Sequence, residues 1–473
     1  MQPEPQLHSA PDLSARGVTA ALLARYDRPG PRYTSYPTAV QFETSVNASA
    51  YAERLAEAGK AVSEPLSLYV HLPFCEHRCL FCGCNVIISP DKSRAMPYLD
   101  LLLREAALVA ERLGDRRRLS QVHLGGGTPT YFAPEHLSGF LVDLFDIFTP
   151  MEGAELAVEI DPRVTTNEHI DALAEVGFNR ISLGVQDFTP EVQETIGRVQ
   201  TPDRTYELIE RARSHGFAGI NVDLIYGLPR QSQAGFGHTL ESVIDMGADR
   251  AAVYSFAYVP WMHAHMKKLP DDALPDRENK LALFALARER FIEAGYEPIG
   301  MDHFAKPHDE LAVAKRQGRL KRNFQGYCVV PADDVVGLGI SAIGDIAGAY
   351  VQNAKKLSTY REAISEGKLA VEHGCILSED DKLRRRVIHE LMCNFRVDIR
   401  EIERRFHIDF ASYFAEDLAL LRTHVADGMV TMSPDRIEAT PMGELFVRNL
   451  AMCFDVYLRA AQPGEGRTFS RTV

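Results

Sequence analysis

The sequence predicts an α/β fold: an open, partial barrel of six strand-helix units, an N-terminal extension and a smaller, mostly helical C-terminal domain. Three observations predict it. Short runs rich in Val, Ile and Leu recur between residues 66 and 256, stretches with helical spacing separate them, and polar or glycine-rich residues punctuate the same end of every run. Such alternation builds parallel strands with helical crossovers. Six units fall short of the eight that close a barrel, and the site of such a barrel lies at the carboxyl ends of its strands.

The predicted strands cover 66–72, 121–124, 154–160, 180–185, 219–226 and 250–256, with helices at 97–113, 134–148, 167–176, 202–215 and 232–246. Cysteines follow the first strand and Gly-Gly-Gly-Thr-Pro-Thr at 125–130 follows the second. Glu159 and Asp161 end the third, Gln186 ends the fourth, Asp223 lies in the fifth, and 254–260 closes the sixth. Any one of these could be an ordinary turn; six at one end read as an active-site rim. Residues 261–345 read as a connecting region with a helix at 276–294. Helices follow at 380–394, 399–406 and 410–427, then short strands at 429–432 and 437–439, a helical module with a two-stranded wing. Modules of that shape bind DNA elsewhere, but the mixed-sign stretch 398–409 suits a substrate-covering lid equally well. The expected divisions are 1–60, 61–345 and 346–473.

With 473 residues, 45% apolar and 25% charged, the chain has the composition of an ordinary soluble protein too long for one core. A formal charge of -13 argues against nucleic acid, whose phosphates bind through excess Lys and Arg. The N-terminus lacks the basic start and apolar stretch of a secretory signal, and no uncharged apolar run reaches the roughly 20 residues of a membrane helix. A cytoplasmic location without membrane insertion is expected. Four of the eight cysteines, Cys75, Cys79, Cys82 and Cys84, fall within ten residues, and Cys328, Cys375, Cys393 and Cys453 are scattered. A tight cluster in a long chain without a secretory signal reads as a metal or redox site, not a disulfide framework.

The segment 69–85 reads Tyr-Val-His-Leu-Pro-Phe-Cys-Glu-His-Arg-Cys-Leu-Phe-Cys-Gly-Cys-Asn. Cys-x3-Cys-x2-Cys on a loop can wrap three thiolates around one iron cube and leave its fourth iron open. The open iron can chelate the amino and carboxylate groups of S-adenosylmethionine. A zinc site would show two separated Cys or His pairs, although His71, His77 and Cys84 leave that reading formally open. Cys84, two residues after Cys82, is awkwardly placed to close the same cube and is assigned a supporting or catalytic role. The turn 125–130 lacks both the Gly-Lys-Ser/Thr ending of a phosphate loop and Gly-x-Gly-x-x-Gly, and would present bare backbone to the methionine moiety. Glu159 can accept from a ribose, and Gln186, Arg198 and Asp223 supply both charges around a polar ligand.

The cysteine motif and 125–130 together resemble the radical S-adenosylmethionine superfamily. Strings at 32–39, 69–85, 159–163, 221–229, 300–306, 322–327 and 452–455 are similar to the oxygen-independent coproporphyrinogen III oxidase family, from about residue 24 to the end. The resemblance implies that Cys75, Cys79 and Cys82 bind a 4Fe-4S cluster, and that Tyr69, Gly126, Glu159 and Ile343 line the S-adenosylmethionine on it. Phe81, Gly127, Thr128, Gln186, Arg198, Asp223 and Ala257 match a second pocket that holds either another S-adenosylmethionine or substrate. Tyr69, His71, Cys84 and Asp223 are the implied catalytic set. After Ile343 the string 344–350 departs from the family pattern. The implied reaction converts two propionates of coproporphyrinogen III to vinyls, giving protoporphyrinogen IX: a 5'-deoxyadenosyl radical takes a hydrogen from the propionate carbon next to the pyrrole, and carbon dioxide and one further electron leave. The four substrate carboxylates ask for cations, and Arg32, Arg198 and Arg322 are the candidates because arginine pairs carboxylate bidentately; Tyr33 beside Arg32 joins them. The implied partners are the substrate and a reduced flavodoxin or ferredoxin-type donor, acting on a monomer. The rival within the superfamily is its haem chaperone branch, which lacks the 32–39 string and the Cys-Gly-Cys-Asn ending.

Overall fold

The computed structural model describes residues 19–329, 332–460, 469, 471 and 472. The reading that the N-terminus lacks a secretory signal concerns residues 1–18 and lies outside them. Six parallel strands form the centre: β1 (Leu66–Leu72), β2 (Arg118–Gly126), β3 (Thr149–Ile160), β4 (Arg180–Gln186), β5 (Gly219–Tyr226) and β6 (Arg250–Ser255). The crossovers carry α1 (Met96–Leu113), α2 (Pro134–Ile147), α3 (Asn167–Glu175), α4 (Pro202–Ser214) and α5 (Gln233–Asp245). Proline at the first or second helical position of α1, α2 and α4 costs no hydrogen bond there and presets the helical φ.

The sheet does not stop at six strands. The 261–345 region and its continuation add β7 (Glu297–Gly300), β8 (His303–Ala305), β9 (Val335–Leu338), β10 (Ile343–Ile346), β11 (Ala349–Asn353) and β12 (Val371–Ile376), in the order β12-β11-β10-β9-β1-β2-β3-β4-β5-β6-β8-β7. β9 runs parallel to β1 and the other five additions are antiparallel to their neighbours. The expected division at 345/346 therefore falls inside the β10–β11 hairpin, where backbone pairing ties both sides together. Strands of three to six residues interrupted by turns carry too short a pattern to be separated from loops in sequence.

Each central strand alternates. Leu68, Val70, Val122, Leu124, Leu156, Val158, Ile181, Leu183, Ile220, Val222, Ala251 and Val253 point outward under the helices and are buried. Burying each such Leu, Ile or Val contributes about 1.5–3 kcal/mol. Their neighbours Gln121, His123, Glu155, Glu159, Ser182, Asn221, Asp223 and Tyr254 line a cavity inside the barrel. The barrel interior is thus polar, and every second residue of an apparently apolar run faces it.

Helix α1 also fixes the edge beside β1. Glu105 accepts from Gly339 N–H at 2.7 Å, Asn353 Nδ2 at 2.6 Å and Tyr360 Oη at 2.6 Å, which pins the turn entering β10. Beyond the sheet, α6 (Arg277–Glu293) covers the β5 side and α7 (Glu379–Asn394) leads the C-terminal unit. The wing has three strands instead of two, Arg396–Asp398 joining Arg436–Ala439 and Val430–Met432, and the expected 410–427 helix breaks into Phe410–Tyr413 and Ala415–Ala426.

Candidate active site

After β1 the chain makes a short parallel bridge, Phe74–Cys75 with Ile87–Ile88, which closes the cysteine loop at its base. The glycine turn after β2 lies directly on it: Gly127 N–H donates to Leu72 at 2.8 Å and Thr128 N–H to Phe74 at 3.0 Å. A Cβ on Gly126 would stand 2.5 Å from the His71 ring, and one on Gly127 2.5 Å from the Pro73 carbonyl carbon. Gly126 also has φ +108°, outside the range of L side chains. Glycine is required here by contact, and only bare backbone fits between the cysteine loop and the barrel mouth.

Each of the three thiols meets a hydrogen-bond donor. Cys75 Sγ lies 3.5 Å from the Thr128 hydroxyl. Cys79 Sγ receives N–H groups from Arg163 at 3.3 Å and Arg198 at 3.6 Å, and Cys82 Sγ receives the Cys84 backbone N–H at 3.4 Å. Asp161 holds both arginines, at 2.7 and 2.9 Å. Burial raises the Asp161 pKa, but Arg198 and Arg163 outweigh it and keep the carboxylate charged. Burial pushes the Cys75 thiol up to about 11, offset in part by Thr128, so its ionisation would rely on a bound cation. A hydrogen bond from the Cys84 thiol holds Cys82 below the ordinary thiol range, and the same bond raises Cys84. Among the described residues no three His, Cys, Asp or Glu side chains converge on a single-ion site. A cube takes one thiolate per iron, so separated sulfurs, each with its own donor and flanked by two guanidinium groups, fit a three-thiolate cluster.

Above the cysteines, His71 Nε2 faces the Asn85 carbonyl at 3.0 Å and therefore carries the proton, leaving Nδ1 to accept from Tyr69 Oη at 3.0 Å. Burial lowers the His71 pKa and keeps the ring neutral. Glu159 meets His123 Nε2 at 3.0 Å and Gly126 N–H at 3.4 Å. Burial raises its pKa, but the His123 hydrogen bond and attraction, the Gly126 N–H and the nearby His71 together more than compensate and leave it an anion. Asp223 accepts from Ser182 at 3.0 Å and Asn221 at 2.9 Å, while burial and the Glu159 charge push it up to about 7. Two carboxyls lining one cavity are thus split into an anion and a group poised to hold a proton.

Gln186, at φ +69°, ends β4 beside Arg198, whose Nη2 donates to the Gly184 carbonyl at 2.6 Å. Phe81 packs against the apolar cluster containing Ile196 and Phe256, Ala257 follows β6 and is exposed, and Ile343 opens β10 half-buried. Arg32 pairs with Asp302 and lies with its guanidinium 5.7 Å from the Tyr254 ring centre. Arg322 sits on the Lys321–Asn323 strand over the Tyr327 ring, with Nε and Nη1 buried and, among the described residues, without a hydrogen-bond partner. Tyr33 is not brought to this site: it is buried in the C-terminal core with its hydroxyl 2.9 Å from Asp455.

Residues 69–243 match the family model of the radical SAM superfamily, and 377–446 match that of the HemN C-terminal domain. The oxygen-independent coproporphyrinogen III oxidase of Salmonella typhimurium is 43% identical over 96% of this chain and 98% of its own length, and that of Synechocystis sp. is 41% identical over the same shares. The solved coproporphyrinogen III oxidase (HemN) of Escherichia coli, described as a radical SAM enzyme, superposes with a TM-score of 0.87 at 42% identity, covering 90% of this chain and 97% of that one. The chain belongs to the oxygen-independent coproporphyrinogen III oxidase family.

As a member of that family it has a radical SAM fold, with the partial barrel expected from the sequence. Sequence reasoning missed several residues of the candidate site. His123, Ser182 and Asn221 stand at alternate positions of their strands, so the period of two marked them as inward-facing. Arg163 closes the Glu-Ile-Asp-Pro-Arg string at 159–163, but its reach to Cys79 crosses 84 positions of sequence. The Asp302–His303 pair, 2.8 Å apart, lay in a quoted string without a role.

Proposed function

We propose that the protein carries out the oxygen-independent oxidative decarboxylation of two propionate side chains of coproporphyrinogen III, giving the two vinyl groups of protoporphyrinogen IX in haem biosynthesis. The observation that carries this reading is the cysteine loop clamped to the glycine turn at the mouth of an acid-lined barrel, in a chain 43% identical to named oxidases over 96% of its length. Cys75, Cys79 and Cys82 would hold a 4Fe-4S cluster, and Tyr69, Gly126, Glu159 and Ile343 would line the S-adenosylmethionine on it. When bound, this pair supplies a one-electron reduction of the sulfonium and the resulting 5'-deoxyadenosyl radical.

The chain's own groups then have defined tasks. Arg163 and Arg198 offset the negative charge of the cluster thiolates. The backbone at Gly126 and Gly127 admits the methionine moiety where a side chain would collide. Glu159 stays ionised and accepts from ribose hydroxyls, while Asp223 can hold a proton at its carboxyl oxygen near neutral pH. Cys84 keeps a thiol proton beside Cys82, and the neutral His71 orients the Tyr69 hydroxyl. Phe81, Gly127, Thr128, Gln186, Arg198, Asp223 and Ala257 would form the second pocket, with Arg32 and Arg322 as cations for substrate carboxylates. Two buried Arg322 nitrogens that have no hydrogen-bond partner among the described residues support that role.

We also propose a reduced flavodoxin or ferredoxin-type donor, a monomer and a cytoplasmic location. Eight free thiols, including the cluster loop, call for a reducing compartment, and among the described residues no helix is long and apolar enough to cross a membrane. The test is anaerobic incubation of the reconstituted protein with dithionite, S-adenosylmethionine and coproporphyrinogen III. Joint appearance of 5'-deoxyadenosine and a divinyl product supports the reading; cleavage of S-adenosylmethionine with no loss of carbon dioxide refutes it.

A further inference from the structure

Two cavities meet at the side-chain layer around Tyr254 and Asp302. The inner one, about 120 Å³, contains Glu159 and Asp223. The outer one, about 670 Å³, lies between the N-terminal segment, α6 and the C-terminal unit. Small-molecule sites measure about 300–1,000 Å³, so a tetrapyrrole ring needs the outer cavity, while the inner one takes a side-chain arm.

The lining of the outer cavity matches an apolar ring bearing several carboxylates. One wall is Leu281, Phe284, Leu445 and Val447, and among the described residues the rim carries Arg32, Arg277, Lys280, Arg448 and Arg471 against Asp27, Glu278 and Asp302. Asp27 already takes both Arg277 at 3.2 Å and Arg471 at 2.6 Å, which leaves positive charge over. Lys280 Nζ donates to the Phe256 carbonyl at 3.0 Å. Burial lowers its pKa by more than the attraction of Asp27 raises it, a cost an arriving carboxylate would reverse.

A single layer of side chains divides the cavities. Arg32 and Asp302 face outward, His303 and Tyr254 face inward, and contacts between Asp302 and His303 and between Arg32 and Tyr254 join the layer. We propose that the outer cavity seats the substrate macrocycle, with Lys280 and Arg277 pairing with carboxylates that do not react, while one propionate passes Arg32 into the barrel. This rests on the oxidase reading and assigns the residues that recognise its substrate.

The test uses the reconstituted holoenzyme and coproporphyrin III, a redox-inert fluorescent tetracarboxylate, beside a dicarboxylate mesoporphyrin. Lys280→Met and Arg277→Gln should each weaken coproporphyrin binding about tenfold, as loss of a charged hydrogen bond does, and erase the preference for four carboxylates over two. Lys280→Arg should restore both. KM for coproporphyrinogen should rise with kcat and KM for S-adenosylmethionine unchanged. Unaltered affinity in both variants, equal loss for both porphyrins, or no binding by the parent protein would overturn the assignment. Charge-dependent porphyrin binding in a protein that forms no divinyl product would uphold the cavity and reject the oxidase reading.

Discussion

At the scale of single residues, the account turns on how neighbours set charge. Asp223 is pushed up to about 7 from its ordinary 3.8, so the folded chain favours the protonated form. A raised carboxyl pKa means stability is lost as pH climbs from about 4 to 7, by at most about 1.4 kcal/mol per pH unit, and levels off above. Asp223→Asn mimics the protonated form and should escape this loss. Thermal melts at about pH 5 and pH 8 should show the parent protein losing stability relative to the variant at the higher pH; parallel curves would mean Asp223 is not perturbed. Cys79→Ala should abolish both 5'-deoxyadenosine and divinyl product and deplete bound iron and sulfide, and retention of cluster absorbance with turnover would refute the ligand assignment. These residues were legible in sequence to different degrees. Cys75, Cys79 and Cys82 announce themselves by local spacing, whereas the pKa of Asp223 depends on Glu159, 64 positions away, and on a cavity no local pattern describes.

At the scale of elements, the strands β1 to β6 were readable because an apolar run bounded by turns specifies a strand whatever surrounds it. β7 to β12 were not, since three to six residues between turns gain strand identity only from the neighbour they pair with. The same dependence governs the turn after β2. Gly127→Ala places a methyl 2.5 Å from the Pro73 carbonyl carbon, so backbone must move. The expected cost is about 1–3 kcal/mol in stability, with weaker S-adenosylmethionine binding read by calorimetry; unchanged affinity would show that the turn does not shape that site. Glu105→Ala removes the acceptor of three hydrogen bonds at the entrance to β10. It should lower stability by about 2–4 kcal/mol in chemical denaturation and raise KM for S-adenosylmethionine through displacement of Ile343.

For the whole molecule, the N-terminal segment is a strap tied to the C-terminal unit. Tyr33 bonds Asp455, Arg448 donates to the Pro31 carbonyl at 3.0 Å, and Thr472 N–H donates to the Arg28 carbonyl at 2.9 Å. The expectation that Tyr33 meets substrate came from its place beside Arg32, but the two side chains diverge, Tyr33 into the C-terminal core and Arg32 to the outer cavity. Tyr33→Phe should lower stability by about 1–3 kcal/mol, because Asp455 Oδ2 stays buried without the Tyr33 hydroxyl while only Oδ1 keeps the Leu458 N–H, and leave KM for coproporphyrinogen unchanged; a raised KM would return Tyr33 to the substrate site. The overall charge of -13 hides the cationic rim of the outer cavity, since net charge reports nothing about where charges gather. All of these tasks presuppose a cube bound by three cysteines with one iron left to S-adenosylmethionine. Mössbauer spectra of 57Fe-reconstituted, oxygen-free protein before and after addition of S-adenosylmethionine test this most directly. One iron of four should change its parameters on addition; four irons that stay equivalent would contradict the account.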